Sequence, residues 1–184
     1  MLMNGEQYRK SLRAMRPNVY KWDRLIEDVT SHPATRLHVD SVAHSYDMCF
    51  NEEKKSVYTG RSHLTGEVVH RWNSLCQSVE DQVGNADMKR NQYRVTGTCQ
   101  GATCAGWTAL NVLHAITFEM DRDLGTEYHQ RLQKYFRYVE NNALAMAGAI
   151  TDAKGDRSRK PSEQANRDLN LHVKEVRDDG VVIR

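Results

Sequence analysis

A mainly α fold with the start of a β-domain at its C-terminal end is what this sequence predicts, on three observations. Apolar residues recur every three or four positions over two long stretches, about Gly101 to Met120 and Tyr128 to Ala143. The compact segment Asp121-Arg-Asp-Leu-Gly-Thr126 separates them as a helix-to-helix connection. After Gly148 the pattern changes to a polar loop, followed by two short β-rich runs on either side of Asp178-Asp-Gly180.

Asn4 suits the N-cap of a first amphipathic helix with Gln7 at its N3 position, and Tyr8, Leu12 and Met15 then share one face. Arg16-Pro17-Asn18 stops it. Val19-Tyr-Lys-Trp22, with Leu25-Ile26 and Val29, predicts a short strand or hairpin before Pro33, and Pro33 suits the first turn of another helix. That helix runs to about Phe50 with Val42, Tyr46 and Cys49 on one face, and the charged Asn51-Glu-Glu-Lys-Lys55 closes it. Gly, Ser and Thr between Val57 and Gly66 read as loop, and Val68 to about Lys89 reads as a weakly periodic helix.

Trp107, Leu110, Leu113, Ile116 and Met120 form the apolar face of the first long helix. Gly125 suits its left-handed stop and Thr126 the next cap. Tyr128, Leu132, Phe136, Val139 and Ala143 face inward on the partner helix, making an antiparallel pair. Leu169 to Val176 and Val181 to Ile183 read as strands joined by a tight turn. The expected division is a helical domain over 1–150 and a loop with first strands over 151–184. A two-stranded hairpin is marginal alone, so the natural protein is expected to continue into a larger sheet.

With 39% hydrophobic residues the chain can bury a core, and 26 basic against 24 acidic residues leave a formal charge of +2. That balance gives no field favouring nucleic acid or an anionic membrane. No run approaches the roughly 20 apolar residues of a spanning helix, and the N-terminus has no basic start or apolar signal core. A cytoplasmic protein is expected, with Cys49, Cys76, Cys99 and Cys104 kept as thiols or metal ligands.

Two segments carry chemistry. Ala149-Ile-Thr-Asp-Ala-Lys-Gly-Asp-Arg157 offers backbone amides, a hydroxyl, two carboxylates and two cations in a turn that can hold a phosphate or a cofactor edge. It reads equally as a solvated helix-to-strand connection, because Asp, Gly and Lys are common turn formers. Thr98-Cys-Gln-Gly-Ala-Thr-Cys104 places two thiols close together, as metal ligands or as buried inert cysteines. The eight histidines show no paired spacing of the kind zinc needs, and Trp22, Trp72 and Trp107 read as core or interface anchors.

In order and spacing, Gly5-Glu-Gln-Tyr-Arg-Lys-Ser-Leu-Arg13, Val19-Tyr20, His32-Pro33, Gln77-Ser-Val-Glu-Asp81, Gly125-Thr-Glu-Tyr-His129 and Ile150-Thr-Asp-Ala-Lys-Gly-Asp-Arg157 carry a further reading. Together they resemble the helical N-terminal region of the flavoprotein family that includes 4-hydroxyphenylacetate 3-hydroxylase and 4-hydroxybutyryl-CoA dehydratase. The resemblance implies an acyl-CoA-dehydrogenase-like fold, assembly of the full-length family members as homotetramers, and an FAD site to which Ile150, Thr151, Asp152, Lys154, Gly155, Asp156 and Arg157 contribute. Ala153 stands where the dehydratase pattern has proline.

Dehydratase-type members carry two cysteines here as ligands of a 4Fe-4S cluster, which by resemblance assigns Cys99 and Cys104. Their remaining ligands, a histidine and a third cysteine, and the catalytic base fall beyond this chain. The family pattern has three residues between the thiols, about 40° apart on a helix, whereas four residues here give about 140°. Both thiols can meet one cluster if Cys99 lies in the turn before the helix and Cys104 on its first turn. Cys76 stands where dehydratase-type sequences tend to have histidine, and it reads as core or as a substituted lining residue.

The implied activity is dehydration of a hydroxyacyl-CoA, paired in that family with vinylacetyl-CoA isomerisation. The alternative within the family is a two-component aromatic monooxygenase, fed reduced FAD by a flavin reductase and needing no cluster. Outside it stands a non-catalytic helical module or truncated fragment, which by itself would be inactive.

Overall fold

The computed structural model describes residues 2–98, 101–148, 156, 158–159, 163–164, 173–178 and 180–183. The chain divides into two compact units, Met1–Gly148 and Ala149–Arg184. Among the described residues the first unit holds six helices and two hairpins: α1 (Gly5–Met15), β1 (Val19–Lys21), β2 (Arg24–Ile26), α2 (Arg36–Asp47), α3 (Lys55–Tyr58), β3 (Thr59–Arg61), β4 (Val68–His70), α4 (Val79–Thr96), α5 (Gly101–Leu124) and α6 (Tyr128–Asn141). The second unit holds β5 (Val173–Arg177) and β6 (Gly180–Ile183), antiparallel with Val176 opposite Val181. No described helix is long and apolar enough to cross a membrane.

Asn4 closes the predicted capping box on α1, accepting from Gln7 N at 2.9 Å while its own N–H reaches Gln7 Oε1 at 2.8 Å. α1 then lies on α2 at very close range. The Gly5 N–H donates to Asp47 Oδ1 at 2.7 Å, and a Cβ at Gly5 would stand 2.8 Å from the Ala43 carbonyl, so only glycine fits. Trp22 and Asp23 form the two-residue turn between β1 and β2, both at positive φ, as the right-handed twist of a hairpin demands. Trp22 is not part of the core: it is 85% exposed, while Trp72 and Trp107 are buried.

The stretch from 57 to 89 departs from expectation. The expected loop contains β3, which pairs with β4 through Gly60 opposite Val69, and the expected helix from Val68 begins only at Val79. Ser78 explains the late start: its hydroxyl accepts from Asp81 N, and Asp81 Oδ2 takes the N–H groups of Ser78 and Gln77 at 3.0 and 2.9 Å. The segment before it has one short 3-10 turn, Arg71–Asn73, and side chains hold the rest. Arg71 donates to the carbonyls of Ser56, Val57 and Thr59, and Trp107 Nε1 donates to Ser74 O at 2.8 Å.

α5 and α6 form the expected antiparallel pair, with Gly125 at φ +65. Thr126 does not cap α6. Asp121, a turn earlier, does so, because its carboxylate reaches Tyr128 N at 2.8 Å and His129 N at 2.9 Å while holding the Thr126 hydroxyl. Phe136, Val139 and Ala143 face the core as predicted, but Tyr128 is exposed. On α5, Trp107 and Leu110 are buried, whereas Leu113 and Ile116 are each 45% exposed, because the core ends halfway along this 24-residue helix.

The core has two centres, one of Cys49, Tyr58, Trp72, Met88 and Trp107 and one of Leu75, Leu110 and Phe136. Replacing fully buried Phe136 by alanine should cost about 3–5 kcal/mol in urea unfolding, while Trp22→Ala should stay within about 0.5 kcal/mol.

His70 is buried as a neutral ring: Nε2–H donates to Ser45 O and Nδ1 accepts from Trp72 N, each at 3.2 Å. Burial pushes its pKa down to about 4, so on acidification the unfolded chain takes up the proton first. Its contribution is intact above an unfolded value of about 6.5 and is lost as pH falls toward the folded value. Urea unfolding should show a loss on the order of 2 kcal/mol between about pH 7 and pH 5, and His70→Gln should flatten most of that slope.

Candidate functional site

The described cysteine of the candidate pair lies at the first turns of α5. Gly97 ends α4 in the left-handed region, its N–H bonded to Tyr93 O at 2.9 Å, and the chain turns through Thr98 before α5 starts at Gly101. Cys104 lies on the first turn of α5, half-buried, and packs against the cluster containing Trp72 and Trp107. Cys99 lies outside the described residues. Among the described residues no group of three or more His, Cys, Asp or Glu side chains is placed to hold a metal ion, so Cys104 brings one thiol to this place.

A cavity of about 350 Å³ opens beside that thiol, between α4 and the start of α5. Trp72, Lys89, Tyr93, Thr98 and Cys104 line it, with Arg90 and Arg94 among the remaining wall residues. The Lys89 ammonium lies 5.5 Å from the Trp72 ring centre and 5.3 Å from that of Trp107, and the two indoles meet edge to face.

The segment that follows α6 reaches the same helix turns from the other side. Tyr46 Oη donates to Ala143 O at 2.7 Å and Asn73 Nδ2 to Leu144 O at 2.8 Å, which fixes the chain as it leaves α6. Residues up to Gly148 then pass over Ala105 and Gly106 so closely that a Cβ at Gly106 would stand 3.1 Å from the Ala147 nitrogen, and one at Gly148 would stand 2.9 Å from Ala105 Cβ. Neither glycine stood out in the sequence, because close backbone approach leaves no local pattern.

Of the loop assigned to a flavin, Asp156 is described, while Ile150, Thr151, Asp152, Lys154, Gly155 and Arg157 lie outside the described residues. The Asp156 carboxylate accepts from Ser158 N at 3.0 Å and Ser158 Oγ at 2.7 Å, and its backbone is clasped by the Gln164 side chain. Those hydroxyl and amide bonds hold its pKa below the usual carboxylate value. Asp156 is thereby an ionised residue in a preformed turn.

The other thiols are different. Cys49 is buried in the core and burial pushes its pKa up to about 12. Cys76 is partly exposed just before the α4 cap; burial and the nearby Asp81 carboxylate raise its pKa. His114 and His129, fifteen positions apart in sequence, meet across the α5–α6 pair with ring centres 4.5 Å apart. Spacing rules miss such a pair because the helix hairpin, not the local sequence, creates it.

The family model described as 4-hydroxyphenylacetate 3-hydroxylase N terminal matches residues 4–184. The chain belongs to that family. It is 36% identical over 184 residues to the 4-hydroxybutyryl-CoA dehydratase/vinylacetyl-CoA-Delta-isomerase of Clostridium aminobutyricum, covering 100% of this chain and 37% of that protein. The oxygenase component of 4-hydroxyphenylacetate 3-monooxygenase from Geobacillus sp. (strain PA-9) is 23% identical over 179 residues, 97% of this chain and 36% of the relative.

Among solved structures, an oxygen-tolerant archaeal 4-hydroxybutyryl-CoA dehydratase from N. maritimus superposes with a TM-score of 0.84 at 36% identity, over 100% of this chain and 36% of its own. The oxygenase component HpaB complexed with FAD and 4-hydroxyphenylacetate superposes at 0.71 with 21% identity, covering 99% and 37%, and shares the fold. The fold is therefore that of the acyl-CoA-dehydrogenase-like N-terminal domain in this flavoprotein family. The chain spans a little over one third of the length of these relatives, 36–37%.

The tight passage of residues 144–148 over α5 is open to test. Gly148→Val should cost about 1–3 kcal/mol in urea unfolding, since the added atoms meet the Ala105 methyl and helix backbone rather than a mobile side chain.

Proposed function

We propose that this chain forms the N-terminal helical part of a flavin-dependent enzyme that dehydrates a hydroxyacyl-CoA, using FAD and a 4Fe-4S cluster. The observation that carries the reading is the match to the dehydratase over the whole chain, 36% identity with a TM-score of 0.84, against 21% and 0.71 for the HpaB oxygenase. The same reading makes the enzyme a cytoplasmic homo-oligomer, a tetramer as in the full-length family, with an acyl-CoA as its small-molecule partner.

Cys104 fits the role of cluster ligand: it is a half-buried thiol on the first turn of α5, lining an open cavity. Cys99 would join it from the preceding turn, and the packed rings of Trp72 and Trp107 keep water from its inner side. Asp156 fits a preformed flavin loop, its carboxylate oriented by Ser158. Ile150, Thr151, Asp152, Lys154, Gly155 and Arg157 would complete that loop, the amides and two cations facing phosphate oxygens. When bound, FAD supplies one-electron chemistry toward the acyl chain and the cluster a Lewis acid toward the departing hydroxyl. This chain's own part is to supply thiol ligands at the start of α5 and, separately, the polar groups of the loop to the flavin.

A second reading, the reductase-fed aromatic monooxygenase, is favoured by the four-residue interval between Cys99 and Cys104. The deciding experiment is anaerobic reconstitution with FAD, iron and sulfide of the longest natural reading frame containing Met1–Arg184. The expected result is a flavin spectrum plus a broad iron–sulfur band with stoichiometric iron and sulfide, the band lost in Cys99→Ala and Cys104→Ala while flavin remains. Flavin without iron would move the assignment to the monooxygenase, and neither chromophore would move it to a non-catalytic helical module.

A further inference from the structure

We infer that the cavity between α4 and the first turn of α5 is a binding site for a small organic carboxylate with an apolar body. The inference is independent of FAD and of a cluster, and it rests first on Lys89. This ammonium is half-buried, and among the described residues no carboxylate lies within ion-pair distance of it. It is positioned instead by the faces of Trp72 and Trp107 at 5.5 and 5.3 Å. An aromatic face attracts a cation without neutralising it, so the charge remains available to an anion entering the cavity.

The surrounding charge agrees. Arg90 and Arg94 are also wall residues, and Asp87, which pairs with Arg90 at 3.1 Å, offsets one of the three cations. Most of the remaining surface is apolar, with Trp72, Tyr93 and Cys104 in the wall beside the polar Gln92 and Thr98.

Those walls choose the class of ligand. An inorganic phosphate or sulfate uses cations and donors alone, whereas this cavity pairs its cations with a mostly apolar surface. A carboxylate at Lys89 with a hydrocarbon body along Trp72 and Tyr93 uses both. The volume, about 350 Å³, is at the small end of the roughly 300–1,000 Å³ typical of ligand pockets, which suits a short acyl chain or a single ring.

The test uses intrinsic fluorescence of the metal-free 184-residue chain carrying Trp22→Phe. That substitution removes an exposed indole outside the cavity and leaves emission from Trp72 and Trp107, the two rings that hold Lys89. Hexanoate and cyclohexanecarboxylate, neither of which absorbs where indole does, are titrated against neutral hexanamide and inorganic phosphate.

The expected result is a saturable emission change with both acids. Hexanamide should bind at least about tenfold more weakly than hexanoate, a loss of about 1.4 kcal/mol. Lys89→Met should weaken the acids by a similar factor with its melting temperature retained, and Lys89→Arg should restore binding. The hexanamide comparison stands without any variant at Lys89. Absence of saturation, equal binding of hexanamide, phosphate as effective as hexanoate, or unchanged binding in folded Lys89→Met would each overturn the assignment.

Discussion

One buried hydrogen bond ties the helical unit together: Tyr46 Oη donates to the carbonyl of Ala143 at 2.7 Å, across 97 positions of sequence. Ala143 stands just after α6 at φ +47, a left-handed conformation that costs a residue with a Cβ about a kilocalorie or more per mole. The carbonyls of a helix end also need donors, and burial at Ala143 excludes water from that task. Tyr46 supplies the donor. Its ring in turn stacks on Tyr8 of α1 at 5.2 Å and tilts against His70 of β4 at 4.8 Å. One side chain therefore sets α1, α2, β4 and the exit from α6 relative to one another, and the passage of residues 144–148 over α5 follows from that exit.

The rest of the core repeats this solution. Long irregular stretches, 71–78 and 142–148, have few backbone partners of their own, so polar side chains from inside the core meet main-chain carbonyls. His70 bonds to Ser45 O, Gln92 to Ser41 O, Asn73 to Leu144 O and Trp107 to Ser74 O. A core of this kind is specific because each donor has one place to go, and it is sensitive because each loss leaves a buried group unpaired. Glu140 belongs to the same set: it is buried, accepts the Ser62 hydroxyl at 2.8 Å, and burial raises its pKa.

Local chemistry made part of this legible in the sequence. The Asn4 and Gln7 capping box, the β1–β2 hairpin, the Gly125 stop and the α5–α6 pair each depend on residues within a few positions of one another. The β3–β4 hairpin did not show, because each strand has three residues and Gly60 and Gly66 read as loop. The late start of α4 is a contest between two local signals. The apolar content from Val68 onward favours extension of the helix, but Ser78 with Asp81 fixes its end, and a cap satisfying three amides outweighs weak periodicity. On α5, periodicity reported the apolar stripe correctly but could not say how far the core would reach along it.

The site divides in the same way. Two cysteines and a Gly-Asp loop are visible in sequence because their composition is unusual, yet sequence ranks the four cysteines equally. Their surroundings separate the three described ones. Cys49 is sealed in the core, where a thiolate would be unsolvated. Cys76 is partly exposed, but Asp81 stands beside it and opposes a second negative charge. Cys104 shares a cavity wall with Lys89, whose charge is held there by two indoles from elements 35 positions apart. No periodicity links Trp72, Lys89 and Trp107, so the arrangement exists only once α4 and α5 have packed around the segment from His70 to Ser74. Of the described thiols, Cys104 alone combines access with a positive surround, and that physical difference, more than the cysteine spacing, distinguishes it as the position where an anionic group can be held.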